Sequence, residues 1–305
     1  VVIMVLGLLL TDFSLRAMSL PEEIMPEATA YLHIFFLGMI PNLFYNMGAA
    51  VLRAIGDSKR PLYFLILSCL CNIVLDLIFV AYLRLGVSGA ALATILSQLA
   101  SAVMVLFVLL RTKSGVRLIP SQLRLEPFWL KKMIYVGLPA GLQSTMYTVS
   151  NIIVQATINS FGTNTIAAVT AYGKMDVIFW MVINAFGIAI TTFVGQNYGA
   201  GKTERAFRGF RAALLLAAIG TLLLSGIIWL FGMNFLLFFT KDPDVLAICN
   251  RLIHFVVPFF ITYIPIEICS GTLRGMGNSW MPMILTMLGV CVLRMFWIFL
   301  AVPLH

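Results

Sequence analysis

The chain has 305 residues, 61% of them hydrophobic and 10% charged, with a net charge of +8, where about 25% charged is usual for a soluble domain. Together with a mean hydropathy of +1.01, these values exclude a soluble globular enzyme, a disordered chain and a nucleic-acid-binding module. The 20 basic residues sit between long apolar runs, as they do in a polytopic membrane protein.

A membrane-crossing helix needs about 20 apolar residues. Nine spans are predicted, roughly at 1–18, 28–52, 61–83, 88–110, 130–160, 165–196, 206–239, 246–272 and 281–304. The fold class is therefore an all-α polytopic membrane protein. Val1 opens inside an apolar run with no basic leader, which reads as a chain lacking its beginning rather than as a signal peptide. Pro41, Pro139, Pro258 and Pro265 fall within spans and predict kinks, because proline leaves a helix carbonyl without its donor. Cys69, Cys71, Cys249, Cys269 and Cys291 lie in apolar segments without CxxC spacing and read as small buried hydrophobes.

Lysine and arginine set the orientation. One set of loops, at 53–60, 111–132, 197–211 and 274–280, holds fourteen basic residues, and the alternate loops hold three, Arg16, Arg84 and Lys241. The first set is therefore predicted to be cytoplasmic.

LRAIGDSKRP at 52–61 returns as LRGMGNSWMP at 273–282, with five of ten positions identical and an offset of 221 residues. The same offset pairs His33 with His254, span 28–52 with 246–272, and span 61–83 with 281–304. An even number of spans separates the copies, so they are parallel repeats. Carried along the chain, the offset predicts a parent of twelve spans, six plus six, of which about nine are present. Residues 1–110 would be an N-terminal lobe lacking its first two helices and part of the third. Residues 111–128 would be a cytoplasmic link, and 129–305 a C-terminal lobe lacking its last helix.

Further motifs accompany these: Asn72 and Asp76 in the third span, GVSGAALATILSQ at 86–98, GLPAGLQ at 137–143 and FVGQNYGAGKTERA at 193–206. With the repeated LRxxGxSxxP, they make the chain resemble the multidrug and toxic compound extrusion (MATE) family of cation-coupled antiporters. The resemblance implies two six-helix lobes around a cavity that opens alternately to each side. Entry of Na+ or H+ would drive export of cationic drugs across a bacterial inner membrane. It also implies a cation site in the N-terminal lobe, built from an Asp on the first helix, an Asn and an Asp one turn apart, and a Thr on the sixth helix. Asn72, Asp76 and Thr94 match the last three by motif position; the first-helix Asp would precede Val1.

The residues support part of this on their own. Asp76 is a carboxylate in mid-span, where burial costs about 2.5–3.5 kcal/mol on insertion scales. Asn72 is four residues earlier, on the same helical face. A hard cation could use both oxygens, or a buried Asp could carry a proton; an interhelical hydrogen bond is the bland alternative. The counterparts of Asn72 and Asp76 in the second copy are Leu293 and Trp297, so cation binding is expected in the first lobe alone.

In the second lobe the candidate substrate-cavity residues are Gln143, Asn151, Lys174, Asp176 and Glu267. Lys174 and Asp176 point to different faces of one span; they could pair with other helices, or Lys174 could snorkel. Glu267 faces a cavity, where it would attract a lipophilic cation, or is buried against Lys174 or another donor. Gln143, Asn151, Gln155 and Asn159 form a polar stripe that faces water or hydrogen-bonds neighbouring helices. The 16 methionines and 23 phenylalanines read as membrane filler rather than as a plastic cavity lining.

No GxxxxGK[ST], GxSxG or HExxH occurs, which argues against direct use of ATP and against hydrolysis. No cofactor is expected beyond a coupling ion, and the expected partners are small organic cations and the bilayer. The alternative is a lipid-linked oligosaccharide flippase on the same plan. Its polyanionic substrate would need more intramembrane cations than Lys174, Arg251 and Arg294.

Overall fold

The computed structural model describes residues 2–17 and 22–300. Most of those residues are helical, with no strand among them. The elements are α1 (Val2–Ala17), α2 (Met25–Leu37), α3 (Met39–Ala54), α4 (Lys59–Asp76) with a π-helical turn at Leu77–Tyr82, and α5 (Gly86–Arg111). A short 3₁₀ turn at Pro120–Gln122 precedes α6 (Pro127–Asn159), α7 (Thr163–Gly199) and α8 (Thr203–Leu236). Then come α9 (Pro243–Val256), a 3₁₀ turn (Val257–Phe259), α10 (Phe260–Gly275), α11 (Trp280–Thr286), a second π-helical turn (Met287–Val292) and α12 (Leu293–Leu300). The chain divides into two compact units, Val1–Arg124 and Leu125–His305.

Every predicted span is helical over most of its described residues, and among the described residues seven segments are long and apolar enough to cross a membrane: Met25–Ala54, Lys59–Tyr82, Gly86–Arg111, Thr163–Gly199, Thr203–Leu236, Pro243–Gly275 and Trp280–Leu300. The protein is a multi-pass membrane protein. The other two predicted spans are α1, which has 16 described residues, and α6, which has 33. The length of α6 is ample, but its polar stripe and its Ser and Thr residues dilute its apolar character.

Proline does not always mark the break. The α2–α3 span breaks at Gly38, three residues before Pro41, which sits in the first turn of α3, where its missing N–H costs no bond. A Cβ at Gly38 would lie 2.6 Å from Ile95, so the bare backbone there lets α5 approach. Pro258 does lie in the turn between α9 and α10. Pro139 and Pro265 remain inside α6 and α10. Gly38 and Phe259 are themselves 221 residues apart, so both copies break the same span at the same place.

The loops after those spans are copies at atomic detail. Gly56 and Gly277 have φ of 88° and 86°, in the left-handed region that costs an L-residue about 1–2 kcal/mol. The N–H of each reaches back to an arginine carbonyl, Arg53 or Arg274, at 2.9 Å. The Asp57 N–H bonds Leu52 O at 3.0 Å and the Asn278 N–H bonds Leu273 O at 2.9 Å. Asp57 Oδ1 then accepts from Arg60 N at 3.2 Å, as Asn278 Oδ1 does from Met281 N at 3.3 Å. The carboxylate and the amide do the same capping work at the start of the next helix.

In unit 1, α5 packs against α2, α3 and α4, with Leu52, Val105 and Leu109 at the centre. In unit 2, α7 is the axis against which α8, α9 and α10 pack, around Phe179, Ile183, Ile253 and Ile264. Cys249 and Cys291 are buried and Cys71 is half-buried, but Cys69 and Cys269 are exposed, so the expected burial is reached in full by two of the five cysteines and fails outright for Cys69 and Cys269. Those two point away from their unit's core, where an apolar medium tolerates a thiol.

The α7–α10 contact is closest at small residues. The Thr191 hydroxyl lies 2.7 Å from Gly187 O on its own helix and 3.0 Å from Gly271 O on α10. A Cβ at Gly275 would lie 2.7 Å from Thr191 O and 3.1 Å from Gly195 N, both backbone atoms. Gly275→Ala should therefore lower the melting temperature of the detergent-solubilised protein, by a stability loss of about 1–3 kcal/mol from overpacking. Gly141→Ala, where a Cβ would meet nothing within 4 Å, should leave it unchanged or raise it.

Candidate functional site

The polar face of α4 is held against α5 by one buried bond, from Ser68 Oγ to Ser97 O at 2.6 Å. These antiparallel helices rise 1.5 Å per residue. Asn72, four residues beyond Ser68, is therefore about level with residue 93, beside Thr94. Asp76 is the last residue of α4, one turn further, where the π-helical turn begins. A Cβ on Gly89 of α5 would come within 3.2 Å of the Phe79 backbone, so α5 closes tightly on that turn.

The Asn72 Nδ2 and Asp76 Oδ1 atoms are buried and have no hydrogen-bond partner among the described residues. Each such atom costs about 1–3 kcal/mol, and native structures keep few of them. Thr94 donates its own proton to Ala90 O at 2.9 Å, which leaves its hydroxyl oxygen as an acceptor. Rotating the Asn72 amide by half a turn puts Oδ1 where Nδ2 stands. The set then offers a carboxylate, an amide carbonyl and a hydroxyl, all hard oxygens suited to Na+; the carboxylate alone suits a proton. Among the described residues no three His, Cys, Asp or Glu side chains come together as a metal cluster. A cation here would be held by one acid and neutral oxygens.

The five candidates of unit 2 are not gathered into one cavity. Lys174 is exposed. Asp176 Oδ2 accepts from Trp180 Nε1 at 2.7 Å. Glu267 Oε1 is paired with Arg274 Nη2 at 2.8 Å and rests against Gly187. Gln143 Nε2 donates to Thr286 Oγ1 at 2.8 Å. Asn151 Oδ1 accepts from Arg294 Nη1 at 2.8 Å, and Ser150 Oγ lies 3.5 Å from the same nitrogen. The stripe's other members, Gln155 and Asn159, bond each other at 3.0 Å. Of the polar face of α6, Gln143 reaches α11 and Asn151 reaches α12, while Gln155 and Asn159 pair within the helix. A cavity of about 580 Å³ between α6 and α12, walled by Met146, Val149, Ile153, Met295 and Phe299, is lined by none of the five.

Sequence reasoning missed two partners. Arg274 belongs to the LRxxG motif and, by sequence, reads as the first residue of the loop 274–280. It stands seven residues after Glu267, two turns along one helical face, and that spacing was the available signal. Arg294 has no local signal, since Asn151 is 143 residues away.

Glu267 is only 14% exposed, so removing its cation should be costly. Arg274→Ala is expected to destabilise the protein by about 3–5 kcal/mol, as for a buried charge left alone. Adding Glu267→Gln to that variant should recover most of the loss. A double-mutant cycle of melting temperatures reads both effects.

Broken spans, a repeated loop and an intramembrane acid whose Oδ1 has no partner among the described residues define a helical membrane protein built on an internal repeat. The MatE family model matches residues 1–78 and 139–300, more than half of the chain. The chain belongs to the MatE family, which consists of transporters rather than enzymes. It is 31% identical over 291 residues to "Probable multidrug resistance protein YpnP" of Bacillus subtilis, covering 94% of this chain and 64% of that protein. It is 27% identical over 297 residues to "Probable multidrug resistance protein YoeA" of the same organism, covering 95% and 64%. The chain thus spans 64% of the length of these curated relatives. Its fold matches the solved structure of a MOP superfamily transporter from Pyrococcus furiosus with a TM-score of 0.91 and 23% identity, over 98% of this chain and 68% of that one.

Proposed function

We propose that the whole transporter is a cation-coupled antiporter that exports lipophilic organic cations by alternating access. The observation that carries this reading is the orphaned pair on α4, Asn72 Nδ2 and Asp76 Oδ1, at the head of a π-helical turn. Such turns are frequent at functional sites, and a buried acid with no partner is completed by a cation. Relatives named multidrug resistance proteins support the drug-exporting half of the reading. On this reading 1–110 and 129–305 are the two lobes, 111–128 links them, and the loops at 53–60, 111–132, 197–211 and 274–280 face the cytoplasm of a bacterial inner membrane.

The cycle follows from linkage. An external Na+ or H+ binds Asp76, with Asn72 and Thr94 completing the shell if the ion is Na+. Binding neutralises the acid and removes the cost of its burial. The cation drives the change only by binding one state better than the other. The state with the neutralised acid releases drug, and the lobes then rock inward to reload.

A second reading is favoured by one observation. Arg294 sits within a span, held by Asn151, and a cation there suits an anionic substrate such as a lipid-linked oligosaccharide. The Pyrococcus furiosus transporter is described as having a binding pocket of reversed polarity.

Efflux of a fluorescent cationic dye from liposomes, under a Na+ gradient and then under a proton gradient, separates the readings. Asp76→Asn should cut gradient-driven efflux at least about tenfold, which corresponds to about 1.4 kcal/mol. If Na+ couples, it should also raise the wild-type melting temperature, by up to about 2.7 kcal/mol of stability at a hundred times its Kd, and leave Asp76→Asn unmoved. Efflux indifferent to both gradients, or to Asp76→Asn, removes the antiport reading and advances the flippase.

A further inference from the structure

Unit 2 holds an arginine inside a span with no acid to answer it. Arg294 stands about 21 Å along its span from Trp280, at 1.5 Å per residue. The two acids deep in the spans of this unit are engaged elsewhere, Glu267 with Arg274 and Asp176 with the Trp180 indole. No carboxylate pairs with Arg294 among the described residues. The guanidinium is held against α6 rather than drawn along its own helix toward water, as a snorkelling cation is. Its Nη1 meets Asn151 Oδ1 at 2.8 Å and Ser150 Oγ at 3.5 Å, and both partners are neutral. The three N–H donors of Nε and Nη2 have no acceptor among the described residues. An intramembrane cation in that condition marks a site, and the partner it calls for is an anion.

The space beside it is apolar. Gln143 bonds Thr286, and eight residues further along both helices Asn151 bonds Arg294. The helix α6 therefore runs parallel to α11 and α12 and is clipped to them at two rungs about 12 Å apart. The π-helical turn Met287–Val292 falls between the rungs. It holds one residue more than an α-helical turn, so the side-chain ridges of the two helices lose step there. The cavity of about 580 Å³ begins at this turn, with Cys291 and Val292, and continues along α12 to Leu300. Met146, Val149 and Ile153 form its α6 side. Ser150 joins cavity and cation, since it lines the one and lies against Nη1 of the other. The remaining wall hydroxyl, that of Thr145, is spent on Gly141 O at 3.1 Å.

We propose that this cavity and Arg294 together form a site for an anionic amphiphile of the bilayer, with a long acyl chain in the cavity and a carboxylate or phosphate head on the arginine. The planar guanidinium fork suits either anion, and an apolar surrounding strengthens the bond. An acyl chain asks for no hydrogen bonds, and by filling the void it restores the dispersion contacts that the misfit of the helices gives up. A sugar or a hydrated ion would be stripped of water against walls that offer it nothing in return. An organic cation is repelled by Arg294. The inference rests on neither transport reading. It assigns a resident lipid rather than a cargo, and it gives Arg294 its anion without requiring an anionic substrate.

The test is equilibrium binding of oleate and of dioleoylphosphatidylglycerol to the purified protein in an uncharged detergent, with oleyl alcohol as the same chain without a charge. The wild type should bind one of the two anions at least about tenfold more tightly than the alcohol, and the anion that binds names the head as carboxylate or phosphate. Arg294→Gln keeps an N–H for Asn151 Oδ1; it should weaken the anion at least about tenfold and leave the alcohol unchanged. Val149→Phe puts a ring into the cavity and should weaken anion and alcohol alike without lowering the melting temperature. It alters no polar group, so it reads the site even where Arg294→Gln melts early. Anion binding unchanged in Arg294→Gln overturns the proposal. So does anion binding that survives Val149→Phe, which would put the head on the arginine but the chain outside the cavity. Wild-type binding of neither anion overturns it too, as when a further segment of the whole transporter fills the cavity. The measurement uses no gradient and leaves Asp76 intact, so efflux indifferent to Asp76→Asn would remove the coupling mechanism and leave this site standing.

Discussion

The constraint on which the rest depends is that hydrocarbon offers no hydrogen bonds, so each polar group in a span must find its partner inside the protein. Most spans meet it locally. Thr94 bonds Ala90 O, Thr157 bonds Ile153 O, Thr170 bonds Ile166 O and Thr192 bonds Ile188 O, each one turn back along its own helix. Larger groups reach across helices, as Gln143 does to Thr286 and Arg294 to Asn151. Glu267 takes its charge partner from the end of its own helix. Against this economy Asn72 and Asp76 stand out, because two adjacent positions on one face both keep a buried atom unpaired.

The repeat shows which parts of the fold are architecture and which are chemistry. Loops 52–61 and 273–282 share their glycine, their hydrogen bonds and their cap. Asp57 and Asn278 are interchangeable there because capping needs only an oxygen. The span breaks at Gly38 and Phe259 share their position too. Asn72 and Asp76, by contrast, correspond to Leu293 and Trp297 in the second copy. Backbone geometry is thus duplicated while the acid is confined to one copy. Unit 2 places its own acids elsewhere, Asp176 on α7 and Glu267 on α10.

Much of this was legible in the sequence. Hydropathy located the helices, because burial in lipid demands long apolar runs. Asp76 was legible because a mid-span acid is costly wherever it points. What escaped was pairing. Nothing near Asn151 announces an arginine 143 residues later, and Asp176 gives no hint that an indole one turn on would take one oxygen and leave the other. The break at Gly38 escaped for a related reason. Pro41 is the local breaker, but the cause lies across the interface, where Ile95 leaves no room for a side chain. Burial of Cys69 and Cys269 was misjudged because membrane helices have two apolar faces, and composition does not separate the core face from the lipid face.

The π-helical turns are not related by the repeat. One occupies Leu77–Tyr82, directly after Asp76; the other occupies Met287–Val292, before the counterpart of Asn72. Such a turn holds one residue more than an α-helical turn in the same stretch. If the excess is passed to a neighbouring turn, the intervening segment rotates by about 100° and advances by about 1.5 Å, the step of one residue. No helix need unfold for this. In unit 1 the first residue so turned would be Asp76. The turn that packs closely on Gly89 at Phe79 therefore carries one residue in excess beside Asp76, and shifting that residue would turn the carboxylate by about 100°.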